Sequence, residues 1–174
     1  NDSSGVELMS DTEDLIRHHQ QPKNWGSVPD KTERVIHGNS HLDLYNDTLC
    51  LSFKWSMLPC PECSGTGKAP NSAYGSSDIE FVNCSACRTF GSLYYVEAVR
   101  HISVGCTWLI AASSWFSEYA AGKRVEEIMR LTREDIISLS GLPWAGEHCA
   151  ILIMEAIADG LGRGFGCLIS EELK

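Results

Sequence analysis

Two pairs of cysteines constrain the fold of this 174-residue chain more than any other feature. The pairs are Cys60-Pro61-Glu62-Cys63 and Cys84-Ser85-Ala86-Cys87. Each pair forms a turn that presents two sulfurs, and two such turns surround a single metal ion tetrahedrally. The spacing therefore predicts one structural zinc ion bound by Cys60, Cys63, Cys84 and Cys87. Two alternatives stay open: a rubredoxin-like iron site on the same thiolates, and four reduced cysteines that bind no metal.

The residues around these cysteines are typical of an insert in a larger domain. The segment 64–78 is rich in Gly, Ser and Asn and has no apolar periodicity, whereas strand-like residues precede it at 51–55 and resume at 93–104. We expect a small zinc-ribbon-like insert over residues 57–91, within a main domain formed by residues 9–56 and 92–174. Residues 1–8 are expected to be a disordered extension or an expression remnant, with Met9 as a natural start.

Composition excludes several classes of function. A chain of this length buries one good core, and its 43% hydrophobic content is that of an ordinary globular protein. The net charge of −9 argues against a nucleic-acid partner. No apolar run reaches the ~18 residues of a membrane-spanning helix, and no signal peptide is evident. Eight cysteines, four of them in CxxC pairs, favour metal binding in a reducing, cytoplasmic compartment over a disulfide framework.

A second group of metal-binding side chains lies at two predicted helix starts. His148 and Cys149 begin an apolar-periodic run that follows Gly146, and Cys106 stands between a predicted strand and a predicted helix over 107–121. The N-terminal end of a helix favours a thiolate, so we expect both thiols to be ionised near neutral pH. Two thiols in the same setting can converge at one site. The alternative is a pair of buried structural cysteines beside a helix-start histidine.

Residues 47–55 form the clearest predicted strand, because apolar and polar residues alternate along it. The alternation places Asp47 on the same face as Tyr45 and on the opposite face from Cys50. By itself, an aspartate at a strand start is usually solvated.

The order of several short motifs resembles the U-type iron–sulfur cluster assembly scaffolds of the Isc, Nif and Suf systems. The resemblance covers nearly everything outside the predicted insert. It is carried by residues 16–27, by Tyr45-Asn46-Asp47, by Val104-Gly105-Cys106 and the helix after it, by residues 122–136, and by Gly141 to Cys149.

This resemblance implies an α+β fold, with a small antiparallel sheet, helices packed on one face and the site at one end. It implies that Asp47, Cys106, His148 and Cys149 hold iron or a [2Fe–2S] cluster, although the same donors also suit zinc. The two cysteines would accept persulfide sulfur from a cysteine desulfurase, and Asp47 would labilise the cluster for transfer to apo iron–sulfur client proteins. The chain would then be a scaffold rather than an enzyme.

The chain departs from the family pattern at the site itself. Tyr45 stands where the family has its first cysteine, Thr107 and Trp108 replace a glycine and a serine, and Gly146 replaces a lysine. We expect Tyr45 either to close the site or to donate a hydrogen bond to Asp47. Two other functions therefore stay open. One is a zinc-holding sulfur-relay partner of a desulfurase, and the other is a non-catalytic interaction subunit in which Tyr45 and Trp108 fill the former metal pocket.

Overall fold

The computed structural model describes residues 11–28, 34–70 and 81–166. The expected extension at residues 1–8 lies outside these ranges. The described elements are, in chain order, α1 (Asp11–Gln20), β1 (Val35–Leu42), β2 (Asp47–Pro59), β3 (Lys68–Pro70), β4 (Phe81–Asn83), β5 (Ser92–Val104), α2 (Thr107–Tyr119), α3 (Val125–Met129), α4 (Arg133–Ser140), a 3₁₀ turn (Trp144–Gly146), α5 (Glu147–Ile157), a π-helical turn (Ala158–Gly162) and α6 (Arg163–Phe165).

The main sheet has three antiparallel strands in the order β1-β2-β5. Residues that pair across neighbouring strands point to the same face of the sheet. On one face, Leu49 of β2 pairs with Ser40 of β1 and Ser103 of β5, and the next pair along is Leu51 with Gly38 and His101. This face is buried, whereas Thr48 and Val104 on the other face are exposed. A sheet that buries a single face must be covered by helices on that side.

Helices α2 and α5 supply this cover, and α1 packs against α2. Phe116 of α2 meets Phe53 of β2 edge to face, with ring centroids 6.4 Å apart. Leu152 and Ile153 of α5 are completely buried in the same core. The α+β fold with a small antiparallel sheet and helices on one face is therefore confirmed.

The predicted element boundaries were wrong where a local irregularity interrupts a pattern. The strand predicted to end at Trp55 continues to Pro59. The prediction stopped too early because the register of β2 against β5 shifts between Lys54 and Trp55, and the apolar alternation is lost there. Beyond this bulge the two strands stay paired as far as Pro59 and Ser92 and form an arm. The short strand predicted over 35–37 extends to Leu42.

The four cysteines lie at the end of this arm, in a module built from two copies of one turn. Residues 60–67 and 84–91 follow the same pattern at an offset of 24 residues. The copies exchange matched backbone hydrogen bonds, from Cys60 N–H to Gly91 O at 2.8 Å and from Cys84 N–H to Gly67 O at 3.0 Å. The two glycines have nearly the same left-handed φ, 74° at Gly67 and 72° at Gly91. The division of the chain into this module and a separate main domain stays a prediction.

Strand β1 lies against the C-terminal end of α5 at unusually close range. A Cβ at residue 38 would lie 1.9 Å from the carbonyl oxygen of Ala156 and 2.8 Å from the nitrogen of Gly160. The Ser40 hydroxyl donates a hydrogen bond of 2.7 Å to the carbonyl of Leu152 in the same helix. Gly38 is therefore the residue that lets the edge strand meet α5, whose first turn carries His148 and Cys149.

We predict that Gly38→Ala destabilises the fold, because the new methyl group meets backbone atoms that cannot rotate away. Overpacking of this kind costs about 1–3 kcal/mol. Urea denaturation of the variant should show a lower midpoint than the wild type. Gly162→Ala is the matched control, since a Cβ there has no atom within 4 Å. Equal midpoints for both variants would contradict the close packing.

Candidate metal centre

Asp47 begins β2 and is fully buried. Its Oδ1 atom accepts a hydrogen bond of 2.8 Å from the backbone N–H of Cys106. This approach requires Gly105, because a Cβ there would lie 1.9 Å from Oδ1, and the residue has φ of 146°. In the sequence, Gly105 appeared as a break before the helix and as part of the Val104-Gly105-Cys106 motif. Its closeness to Asp47 comes from the pairing of β2 with β5, and neighbouring residues in the sequence do not predict it.

Cys106 is the N-cap of α2, and its sulfur accepts a hydrogen bond of 3.3 Å from the Leu109 N–H. An unpaired backbone N–H at a helix start is satisfied in this way by the capping side chain. The helix runs from Thr107 to Tyr119, two residues shorter than predicted. Cys106 is half-buried, whereas Cys149 is fully buried.

His148 and Cys149 lie in the first turn of α5, as predicted from the apolar run. An ion pair between Arg133 of α4 and Glu147 fixes this helix start. Cys149 is fully buried, and the side chain of His148 is 14% exposed. The imidazole is therefore mostly buried, beside the two thiols.

These elements bring together the four residues that the sequence identified. The ligand atoms of Asp47, Cys106, His148 and Cys149 all lie within 4.8 Å of one another. The two sulfurs are 3.5 Å apart, and His148 Nε2 lies 3.4 Å from Cys106 Sγ, 3.5 Å from Cys149 Sγ and 3.1 Å from Asp47 Oδ2. In a tetrahedral zinc site with bonds near ~2.0–2.3 Å, neighbouring ligand atoms are roughly 3.3–3.8 Å apart. These four distances are close to those of a tetrahedral site around one metal position, and metal binding by these residues stays a prediction.

The pKa values of the two thiols are shifted in opposite directions. A hydrogen bond from the Cys149 thiol, helped by the Leu109 N–H, lowers the pKa of Cys106 to about 6 against the effect of burial. The same hydrogen bond, together with burial, raises the pKa of Cys149. The prediction of two thiolates was wrong for Cys149. Two sulfurs in contact cannot both ionise without a cation, and the sequence does not show that contact.

Tyr45 lies in the turn before β2 rather than on the strand. Its ring stacks on the imidazole of His148, with centroids 4.2 Å apart and planes 22° from parallel. Stacking of this kind fixes the orientation of the imidazole. The ring is half exposed and covers the face of His148 without separating the ligand atoms.

Trp108 packs beside the 3₁₀ turn that precedes His148. A Cβ at residue 146 would lie 3.0 Å from Cβ and Cγ of Trp108 and 2.9 Å from Leu142 Cδ2. Gly146 and Trp108 are therefore complementary in shape. The indole supports the helix start from one side and lies outside the group of four ligand atoms.

The second candidate site is the four-cysteine module. The sulfurs of Cys60, Cys63, Cys84 and Cys87 also lie within 4.8 Å of one another, and all four residues are buried. The Cys60–Cys84 and Cys63–Cys87 pairs have Sγ–Sγ distances of 3.8 Å and 3.5 Å. A tetrahedral four-thiolate zinc site has sulfurs roughly 3.8 Å apart, so the donor set fits zinc. Zinc binding here stays a prediction.

Ion pairs attach this module to the main domain. Arg88, next to Cys87, pairs with Glu126 of α3 at 3.1 Å. Arg124 contacts the same carboxylate at 2.6 Å and donates to the carbonyl of Ala86 at 3.3 Å. The module is thus held by polar contacts in addition to the arm.

Comparison with known proteins points to one family. The family model described as NifU-like N terminal domain matches residues 92–165, a range that contains Cys106, His148 and Cys149 but not Asp47. The iron–sulfur cluster assembly scaffold protein IscU 1 of Archaeoglobus fulgidus is 36% identical over 63 residues. That alignment covers 36% of this chain and only 41% of the relative's length.

A longer alignment extends the similarity to most of the chain. The iron–sulfur cluster assembly scaffold protein IscU of Escherichia coli K12 is 26% identical over 149 residues, which cover 86% of this chain and 89% of that protein. The crystal structure of a putative SUF-system scaffold from Fervidobacterium islandicum matches with a TM-score of 0.45 at 15% identity, covering 86% of this chain and 94% of that chain. A match this loose adds nothing to the sequence evidence.

We predict that iodoacetamide labels Cys106 before Cys149 in metal-free protein. The labelling rate of Cys106 should rise through about pH 6, because its pKa is lowered to about 6, and change little above neutral pH. Cys149→Ala removes the hydrogen bond that contributes most to lowering the pKa of Cys106, so the inflection in its labelling rate should move to higher pH. Peptide mass mapping against pH measures both effects. A Cys106 rate in the wild type that still rises steeply above pH 8 would contradict the arrangement.

We predict that Cys84→Ser removes one zinc ion per chain and loosens the module, because three thiolates leave the site incomplete. Elemental analysis measures the zinc, and hydrogen exchange should accelerate in the arm while α5 keeps its protection. Cys50→Ser is the control, since Cys50 lies on the open face of the sheet and should leave zinc unchanged. Full zinc retention in Cys84→Ser would refute the four-thiolate site.

Proposed function

This chain belongs to the U-type iron–sulfur cluster assembly scaffold family, and from that premise we propose that it accepts sulfur from a cysteine desulfurase and binds iron or a [2Fe–2S] cluster for transfer. The observation that carries the proposal is the gathering of two thiols, an imidazole and a carboxylate around one position. The relatives that it resembles are named as assembly scaffolds. We infer a binding protein rather than an enzyme.

Burial assigns the two thiols different roles in sulfur acceptance. The sequence predicted that both cysteines accept persulfide sulfur. A desulfurase must bring its own persulfide into contact with the acceptor, and Cys149 is fully buried. Cys106 is half-buried, and its lowered pKa keeps it as a thiolate at neutral pH. We therefore propose Cys106 as the acceptor.

The present shape of the site favours one metal ion over a cluster. A binuclear cluster spreads its terminal ligands over two irons, whereas these four ligand atoms all lie within 4.8 Å of one another. Loading of a [2Fe–2S] cluster would require the side chains to separate, against the stacking of Tyr45 on His148. Metal then enters the site as a single iron ion, and the cluster is cargo that the site holds weakly.

A zinc-holding sulfur-relay protein is the second candidate function. It is favoured by the tetrahedral spacing of the four ligand atoms, which suits zinc as well as iron. In that case Cys106 would still accept sulfur, but apo iron–sulfur proteins would not be clients. The interaction-subunit alternative has less support, because neither Tyr45 nor Trp108 lies among the ligand atoms.

None of the helices within the described ranges is long and apolar enough to cross a membrane. We propose no membrane or nucleic-acid partner and a cytoplasmic location.

The test is anaerobic reconstitution with iron, a cysteine desulfurase, L-cysteine and a dithiol reductant, with persulfide on the chain measured in a parallel sample that lacks the reductant. We predict that the wild type binds iron and forms little [2Fe–2S] cluster, because Tyr45 has no thiol to take the place of the family's first cysteine. Tyr45→Cys should increase cluster occupancy severalfold, measured by visible absorption and by bound iron and sulfide.

Tyr45→Ala is the matched variant, since it removes the stacking without adding a thiol and should not gain cluster. Stoichiometric cluster in the wild type would show that a third cysteine is not needed. No iron and no persulfide in the wild type would refute the scaffold proposal, and zinc retention with persulfide but no iron would favour the relay.

A further inference from the structure

The sulfur that a desulfurase delivers is at the wrong oxidation level for a cluster. A persulfide carries sulfane sulfur, which is zero-valent, whereas a cluster contains sulfide. Two electrons must therefore enter at the acceptor. We propose that the Cys106–Cys149 pair supplies them, with Cys149 cleaving a persulfide on Cys106 and releasing sulfide. This inference rests on the proposed acceptance of sulfur by Cys106.

The geometry suits attack of one sulfur on the other. The two Sγ atoms are 3.5 Å apart, and a disulfide bond requires ~2.05 Å, so a small movement joins them. Cys106 is half-buried and Cys149 fully buried. The donor therefore transfers sulfur to Cys106. Cys149 lies on the buried side of Cys106, shielded from the donor and from other thiols.

The step balances within the site. A new bond forms between Cys149 Sγ and Cys106 Sγ, and the bond from Cys106 Sγ to the outer sulfur breaks. The outer sulfur leaves as hydrosulfide with both electrons of that bond, while the two cysteine sulfurs are oxidised to a disulfide.

The proton released by Cys149 has a nearby acceptor. His148 Nε2 lies 3.5 Å from Cys149 Sγ and 3.1 Å from Asp47 Oδ2. The His148–Asp47 pair takes this proton and returns it to the leaving sulfur, because Nε2 also lies 3.4 Å from Cys106 Sγ. Thiol exchange of this kind needs a thiolate as the attacking group, and the pair generates it.

The same two sulfurs would hold a metal ion, so sulfide release and metal binding exclude each other in time. Metal bound to both thiolates blocks the attack, and the disulfide formed by the attack cannot bind metal. A dithiol reductant of the thioredoxin type must reopen the site before iron enters. Sulfide release on this chain therefore precedes metal binding.

The experiment treats full-length, metal-free protein with glutathione persulfide under anaerobic conditions and measures released sulfide. In the wild type we expect sulfide release accompanied by a Cys106–Cys149 disulfide, located by peptide mass mapping without reduction. Cys149→Ser should retain the persulfide on Cys106 and lose at least 10-fold of the release rate, about 1.4 kcal/mol of barrier. Cys50→Ser should behave as the wild type. Zinc added before the donor should suppress release.

Sulfide release at the wild-type rate from Cys149→Ser would overturn the inference, as would release from the wild type without the Cys106–Cys149 disulfide. The disulfide measurement uses the wild type alone, so it stands even if Cys149→Ser folds poorly. A persulfide that forms on Cys106 and is not cleaved refutes only this inference. Absence of a persulfide on Cys106 in Cys149→Ser, together with absence of the disulfide and of released sulfide in the wild type, refutes sulfur acceptance, and with it the proposed function.

Discussion

The hydrogen bond from the Cys106 N–H to the Asp47 carboxylate is the contact on which the site depends. It joins the start of β2 to the start of α2, which follows β5. The carboxylate is fully buried, and a buried charge without partners would be strongly unfavourable. Its oxygens are satisfied by the backbone N–H and by His148, so the residue that begins the central strand also orients the imidazole. The Asp47 carboxylate therefore both positions Cys106 and orients the imidazole of His148.

The sequence predicted those features that follow from local periodicity or spacing. The apolar run after Cys149 gave α5, and alternation from Asp47 to Phe53 gave β2 and placed Cys50 on the opposite face. Features that depend on a distant part of the chain were missed. The end of β2 was misplaced because a bulge removes the alternation, and Cys149 was expected to be a thiolate because its contact with Cys106 comes from the fold.

The two candidate metal centres differ in how the fold supports them. The Asp47 site is built on a packed sheet and two long helices, and it keeps its shape through core burial. The four-cysteine module has a small core of its own, formed by the cysteines with Leu93. A module with so little apolar contact depends on its metal for stability, as small metal-binding domains do. Loss of metal should thus unfold the four-cysteine module, whereas the Asp47 site should keep its shape without metal.

The fit between Trp108 and Gly146 makes these two positions interdependent. A Cβ at residue 146 would lie 3.0 Å from the Trp108 side chain and 2.9 Å from Leu142 Cδ2, so a side chain there would force its neighbours to shift. Replacement of Gly146 by the lysine of the family motif is therefore unfavourable unless residue 108 changes with it. The two departures from the motif act as one unit.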